Sequence, residues 1–557
     1  MEPSCDGRLQ GFTPPSPSRL RAPSKTLFLA IMSLLPPIPT IPRAFAQTVS
    51  RHPDHSAIED RGVRTSYAEL DRMVLAASRA LMAWGIAPGE RVAIWAPNCR
   101  EWIVAALGIL GVGAVVVPVN TRMKGLEVGY VLEKSGARLL LSTGDFLGTH
   151  YPDLLAGHLP ASLEKLLVIH GAKEGDTGWQ DFIARGESVS EAAARERALS
   201  VTPEMVSDVI FTSGTTGHPK GVKCGHGQNL RTMDDWSQVM GLVPQDRYLM
   251  VNPFFHSMGY KSGWMVGIMN GLTLMPIAVF DAGEVLRTIA RDKVSVLPGP
   301  PTIYYSMQSH PDFAATDLSS LRAAITGSTS TPPSLIESMR RDFGFKTVLT
   351  GYGLSECCGT AALSAPDDDA HTVATTAGRA IRDVEIKIVD TDGRTQPPDQ
   401  PGEVLIRGYN VMLGYLDDEG ATRQAIDADG WLHSGDIGTL DAHGYLRITD
   451  RVKDVYIAGG FNCYPAEIER LASRHPAVSQ IAVIGVPDER MGEVGRAFVV
   501  RKPGVPLESG EFVTWCRAHM ANYKVPQFID FVDTLPTNAS GKVLKRELRK
   551  LPVASGH

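Results

Sequence analysis

Short apolar runs alternate with longer amphipathic stretches through most of the chain. Arg91–Ala96 (RVAIWA), Ala137–Thr143 (ARLLLST) and Lys165–His170 (KLLVIH) are too short for helices and rich in aliphatic residues, so they predict buried strands. Between such runs lie segments like Tyr67–Trp84, whose apolar positions recur at helical spacing. Arg247–Val251, Val294–Leu297, Arg322–Thr326 and Thr347–Thr350 continue the strand series. Strands joined by helical crossovers predict α/β architecture: mostly parallel sheets covered by helices, with loops gathered at the carboxyl edges where ligands usually bind.

The texture changes after Gly378. Val384–Val389, Glu403–Arg407 and Tyr445–Thr449 read as strands separated by Asp/Gly turns, a small β-rich subdomain. The charged segment Asp450–Asp454 ends it. Beyond lies an α/β tail with strands at Ile481–Gly485, Arg496–Val500 and Phe528–Val532 and a helix at Gly510–Met520. Three parts follow: a Pro- and Ser-rich extension over 1–31, expected to be disordered; a large N-terminal domain over 32–452; and a small C-terminal α/β domain over 453–557. Met32 is an alternative start.

Two stretches imitate membrane signals. Thr26–Leu35 (TLFLAIMSLL) follows Arg19, Arg21 and Lys25, but Pro36, Pro37, Pro39 and Pro42 interrupt it before the would-be cleavage site at Ala44–Ala46. Trp102–Val119 is nearly long enough to span a bilayer, yet Gly108, Gly111, Gly113 and Pro118 favour a buried helix, a glycine turn and a strand. Neither export nor membrane insertion is expected. Of 557 residues 43% are hydrophobic and 21% charged, and the net charge of −6 carries no basic block, which disfavours nucleic acid as a partner. Seven cysteines without a CxxC pair argue for a reducing cytoplasm over a zinc site or a disulfide framework.

The densest chemistry lies in Phe211–Val222 (FTSGTTGHPKGV). The apolar run Val209–Phe211 predicts a strand ending in this loop. Gly214 and Gly217 let the backbone approach an anion, the hydroxyls of Thr212, Ser213, Thr215 and Thr216 donate to it, and Lys220 adds a point charge. The spacing is not that of a Walker A loop, because Gly217 is followed by His-Pro-Lys-Gly, and Pro219 disfavours an immediate helix.

This string resembles the nucleotide-binding signature of the adenylate-forming superfamily, which includes acyl-CoA synthetases, peptide-synthetase adenylation domains and luciferases. The resemblance covers nearly the whole chain after residue 40 and implies ATP, Mg²⁺ and coenzyme A as reactants with a carboxylic acid. Further motifs carry it. AITGSTSTPP, with Gly327, and Gly351-Tyr352-Gly353-Leu354-Ser355-Glu356 resemble the adenine and carboxylate-activation motifs. There Tyr352 would lie against the purine, with the flanking glycines leaving its approach open. Glu356, together with Thr215, would hold magnesium, and Ser355 stands where threonine is usual. Gly435-Asp436 resembles the ribose motif, with Arg451 as its cation. Lys453 matches the hinge between the domains, and Gly459-Gly460 the pair that approaches coenzyme A, although Phe461 and Cys463 depart from the usual form. Lys542, in PTNASGK, matches the lysine that bridges carboxylate and α-phosphate.

The segment Phe254–Gly263 (FFHSMGYKSG) would line the acyl pocket, with His256 at the reacting carboxylate. Tyr260 and Lys261 stand where relatives for fatty acids are apolar. With the GGFNCYP variant they resemble bacterial ligases for steroid-derived ring propanoates, the hexahydroindanedione acids. A donor beside the pocket would suit ring ketones; the other position open to Lys261 is solvent. A medium- or long-chain fatty acid is the second reading. A luciferase-like oxygenase and a non-catalytic nucleotide-binding protein are the rival classes. A homodimer is compatible with all of these.

Overall fold

The computed structural model describes residues 39–552 except 213–218, 328–330, 452–453, 459–460, 489–490, 521 and 539–541; side chains at 451, 457, 461, 462 and 467 are also outside the description. The expected extension over 1–31, the Lys453 pivot and the Gly459-Gly460 pair therefore lie outside the described residues.

The largest sheet runs in the order Gly414–Tyr415, Lys220–Gly225, Val206–Thr212, Val115–Pro118, Arg91–Trp95, Leu139–Ser142, Lys165–Val168. Its last five strands are parallel; the first two joints are antiparallel. Successive side chains go to different cores. Val92, Ile94, Val116, Leu139 and Leu141 join one apolar cluster, whereas Ala93, Trp95, Val115, Val117 and Leu140 join another. Strands covered on both faces need apolar residues at every position, which is why these runs are continuous rather than alternating.

A second sheet repeats the scheme. Arg247–Met250, Thr273–Pro276, Ser56–Asp60 and Val63–Ser66 are neighbours in that order, and Ala323–Thr326 pairs with Thr347–Tyr352. Tyr248, Met250, Ile325 and Leu349 face the main core while Leu249, Ala324 and Val348 face a separate one. The strand expected at Val294–Leu297 is reduced to bridges from Val296 to Tyr248 and Ala323. Pro298, Pro300 and Pro301 follow at once and remove the donors that a longer ladder would need.

The helix Tyr67–Ala83 opens on a capping box: Ser66 Oγ accepts from Glu69 N (3.2 Å), and Ser66 N donates to Glu69 Oε2 (2.8 Å). It packs on the helix Arg100–Gly111 so closely that a Cβ on Gly108 would lie 2.9 Å from Ala77 Cβ. Gly113, at φ +74, then turns the chain into Val115–Pro118, so Trp102–Val119 folds as helix, turn and strand. Among the described residues no helix is long and apolar enough to cross a membrane.

The β-rich subdomain is an antiparallel sheet of Val384–Val389, Gly402–Gly408, Leu432–Leu440 and Leu446–Arg451. It lays Val384, Ile388, Val404, Ile406, Leu432 and Leu446 on the main core. The C-terminal sheet is built on the antiparallel pair Val478–Asp488 and Gly492–Arg501, with Phe528–Phe531 parallel to the latter. Its two cores draw only on positions 456–548, and no other core cluster of described residues reaches beyond Leu446. A large N-terminal and a small C-terminal domain thus each bury their own apolar surface.

Candidate active site

The phosphate-loop motif sits on a hairpin. Val206–Thr212 and Lys220–Gly225 are antiparallel, and the Thr212–Lys220 pair closes the base of the loop. Ser213, Gly214, Thr215, Thr216 and Gly217 lie outside the described residues. A strand, not a helix, follows Pro219, whose carbonyl accepts from Tyr130 Oη at 3.1 Å. Gly221 allows close packing here, since a Cβ would stand 2.7 Å from Val209 Cγ1. Lys220 Nζ lies 5.0 Å from the centre of the Tyr415 ring.

The strand Thr347–Tyr352 delivers the second motif to the same end of the fold. It runs through Gly353 into the single turn Ser355–Cys357, which Cys358 closes at φ 53. A Cβ on Gly353 would sit 2.3 Å from Gly359 O, and one on Gly351 would sit 2.8 Å from Leu363 Cδ2. The protein's own backbone and core use this space. Gly353 is thus demanded by packing against backbone, a different reason from the open path to a purine expected above, while at Gly351 the nearest obstacle is a Leu363 methyl. Tyr352 Oη donates to Asp436 Oδ2 at 2.7 Å, and Asp436 is only 3% exposed. Burial, then the Asp436 charge, pushes the Tyr352 phenol well above its ordinary pKa, so it remains a donor. Arg451 is the backbone partner opposite Asp436 across two strands.

Glu356 is held at both ends. Its carbonyl accepts from Met412 N at 2.8 Å, and its carboxylate Oε1 accepts from Tyr415 Oη at 3.0 Å. Beside it, the Ser355 and Ser257 hydroxyls are 2.9 Å apart, joining this turn to the segment that carries His256.

His256 caps a short helical turn, its Nδ1 accepting from Met258 N at 3.3 Å, which leaves Nε2 to carry the proton of the neutral ring. The ring reaches solvent, and partial desolvation by neighbouring protein atoms pulls its pKa below the ordinary value. At neutral pH it is a donor without charge. Tyr260 is fully buried, edge-on to Trp264 and Trp102 at 5.0 and 5.8 Å between ring centres. Gly327 is buried at the end of Ala323–Thr326, where a Cβ would meet Gly351 O at 3.5 Å.

Lys261 departs from both positions considered for it. It is 0% exposed, and its Nζ lies 3.3 Å from Asp208 Oδ1 on the strand that leads into the phosphate loop. Asp208 Oδ2 accepts from Ser207 Oγ at 2.8 Å and Asn229 Nδ2 at 2.5 Å. Burial opposes the Lys261 charge, but Asp208 together with the Cys224 and Cys358 sulfurs outweighs it and raises the pKa, so the ammonium persists. In this arrangement Lys261 is an interior ion pair, not a donor on a pocket wall or a solvated side chain. The attraction of a buried carboxylate holds it in the interior instead of beside substrate, where the motif resemblance placed it.

Lys542 is exposed on the C-terminal domain, where its N and O bond to Asn538 Oδ1 and N, each at 2.8 Å. The N-terminal domain therefore gathers Lys220, Glu356, Ser355 and the His256 segment, and separately Tyr352 with Asp436. Asp208 and Tyr415 escaped the sequence reading. Asp208 was hidden in an apolar strand, and Tyr415 acts only through a strand pairing that no local pattern reveals.

A family model described as AMP-binding enzyme matches residues 45–416, and one described as AMP-binding enzyme C-terminal domain matches 467–542. A 3-[(3aS,4S,7aS)-7a-methyl-1,5-dioxo-octahydro-1H-inden-4-yl]propanoyl:CoA ligase of Mycobacterium tuberculosis (strain ATCC 25618 / H37Rv) is 48% identical over 92% of this chain and 99% of its own length. A ligase of the same description from Rhodococcus jostii (strain RHA1) is 46% identical over 92% and 98%. Among solved structures, that of the anthranilate CoA ligase AuaEII in complex with anthranoyl-AMP is similar with a TM-score of 0.83 and 29% identity, covering 93% of this chain and 98% of that one.

Proposed function

The chain belongs to the AMP-binding enzyme family and is an AMP-forming acid–thiol ligase, and from that premise we propose that it activates a bulky ring propanoate of the indanedione class. The observation that carries the substrate is the pair of near-full-length relatives, 48% and 46% identical, that share this described activity.

A carboxylate is a poor electrophile, so the acid is converted first. A carboxylate oxygen attacks the α-phosphorus of ATP, the bond from that phosphorus to the bridging oxygen breaks, and pyrophosphate leaves. The sulfur of coenzyme A then gives up its proton to solvent and attacks the acyl carbon, the bond from that carbon to the phosphate oxygen breaks, and AMP leaves with the oxygen and the bonding electrons. In this reading Lys220 and the loop hydroxyls of Thr212–Thr216 hold the β- and γ-phosphates. Tyr352, fixed through its hydroxyl to Asp436, flanks the purine, while Asp436 and Arg451 take the ribose. His256, neutral and a donor at Nε2, orients the acid. Lys542 supplies positive charge where the carboxylate and α-phosphate meet.

Hard oxygen donors suit Mg²⁺, and the Glu356 carboxylate, held by the Tyr415 hydroxyl, is one such donor; Thr215 would join it. When bound, the ion neutralises phosphate charge. Separate apolar cores allow the C-terminal domain to turn as a unit about Lys453, withdrawing Lys542 and bringing Gly459-Gly460 to the thiol. Use of ATP and coenzyme A fits a cytoplasmic reaction.

The test is pyrophosphate release by the purified full chain with ATP, Mg²⁺ and a panel holding the indanedione propanoate, octanoate, palmitate and ferulate, followed by coenzyme A-dependent AMP release. The ring propanoate should lead in kcat/KM by about a hundredfold, the scale at which a shaped site separates unlike acids. Preference for a fatty acid would overturn the substrate; no pyrophosphate from any acid would overturn the adenylation reading.

A further inference from the structure

We propose that Tyr415 is a positioning residue for acid adenylation, one side chain that seats Lys220 on its ring face and fixes Glu356 through its hydroxyl. The inference rests on the reading of Lys220 and Glu356 as ATP-binding groups and adds what sets their places.

Three observations carry it. The first is register. Tyr415 lies opposite Val222 in the antiparallel pair with Lys220–Gly225, so Lys220, two positions along, is its diagonal neighbour on the same face. Aromatic side chains reach such diagonal positions, and here the Lys220 ammonium stands 5.0 Å from the ring centre. The second is chemistry. A phenol offers a cation its negative face and a carboxylate its O–H. Tyr415 uses both, with Glu356 Oε1 accepting at 3.0 Å. Two groups of opposite charge are thereby held by separate parts of one ring and need not collapse on each other.

The third is rigidity. Leu413 N and Leu416 N donate to Lys223 O and Gly221 O at 2.9 and 2.8 Å, and Met412 N donates to the Glu356 carbonyl at 2.8 Å. Tyr415 N is bound to Thr422 Oγ1 at 2.9 Å. Gly414 permits this path: at φ +121, a Cβ would also stand 2.9 Å from Thr422 Cγ2. Main-chain bonds of the run 412–416 thus hold Glu356 and the strand that carries Lys220, the two elements whose side chains the Tyr415 ring touches.

The experiment compares Tyr415→Phe, Tyr415→Leu and Glu356→Gln in the full chain. Two readouts are used: Mn²⁺ binding with a non-hydrolysable ATP analogue, followed by electron paramagnetic resonance, and kcat and KM for ATP in pyrophosphate release. Thermal unfolding shows whether each variant is folded. Phe keeps the ring and loses the hydroxyl, so Mn²⁺ should bind about tenfold more weakly while KM for ATP moves less than about twofold. Leu should bring a further rise of about two- to fivefold in KM for ATP, from the lost cation–ring contact. A Phe variant that binds Mn²⁺ and turns over like the parent, while Glu356→Gln loses Mn²⁺, overturns the proposal and leaves the Glu356 reading standing. Unchanged Mn²⁺ binding in Glu356→Gln overturns the Glu356 reading and this proposal with it.

Discussion

The buried Lys261–Asp208 pair gives the sharpest energetic prediction. Both side chains are fully buried, with Nζ and Oδ1 3.3 Å apart. At an effective dielectric of about 20, unit charges at that separation attract by roughly 5 kcal/mol. Removing one partner leaves an uncompensated interior charge, which costs about 3–5 kcal/mol. Lys261→Met should fall at the lower end, because Ser207 and Asn229 still donate to the abandoned carboxylate. Asp208→Asn leaves an ammonium that must deprotonate, which from an ordinary pKa near 10.4 costs about 5 kcal/mol at pH 7. An N-terminal domain of about 400 residues unfolds with an entropy near 0.8 kcal/mol/K, so each single change should lower its melting temperature by roughly 4–6 °C. In the double variant the methionine packs, and the introduced amide still accepts from Ser207 and Asn229. It should regain at least about 2 kcal/mol relative to the sum of the singles. In Asp208→Asn the folded-state lysine pKa is depressed, so the unfolded state binds more protons and stability rises with pH up to the unfolded pKa. Thermal unfolding at pH 7 and pH 9 therefore separates Asp208→Asn, which should recover, from the parent, which should not. Additive shifts in the double variant, or single shifts below about 1 °C, would refute the buried pair.

Lys542→Ala should slow acyl-adenylate formation by about 10²–10³-fold and leave thiol attack on a supplied acyl-adenylate largely intact; equal loss in both half-reactions would remove Lys542 from its role. Glu101 tests acid stability. It is 4% exposed, and although burial alone would raise its pKa, His170 at 2.7 Å and Arg100 at 3.0 Å bring it down to about 2. A depressed carboxyl stabilises fully above its unfolded pKa and loses that contribution as pH falls through the folded one. About 3 kcal/mol should thus disappear between roughly pH 4.5 and pH 2. Glu101→Gln should flatten the fall of the melting temperature from pH 5 to pH 3.5, and an unchanged slope would contradict the assignment.

Some of this protein could be read directly from the chain. Strands such as Arg91–Trp95 and Val384–Val389 follow from apolar runs and their two-residue period, because which face a side chain takes depends only on its neighbours along the strand. The loop between Thr212 and Lys220, the Tyr352–Glu356 motif and the family they indicate are equally local, being strings of adjacent residues. Contacts between distant segments decided the rest. Proline crowding cut Val294–Leu297 down to two isolated bridges, the Gly359 backbone explains Gly353, and a carboxylate on another strand turned Lys261 inward. Tyr415 lies beside Lys220 and Glu356 only because strand register and one hydrogen bond bring the three together. Periodicity records the faces of an element but not its partner across the fold, and it is the partner that gives a charged or aromatic side chain its role.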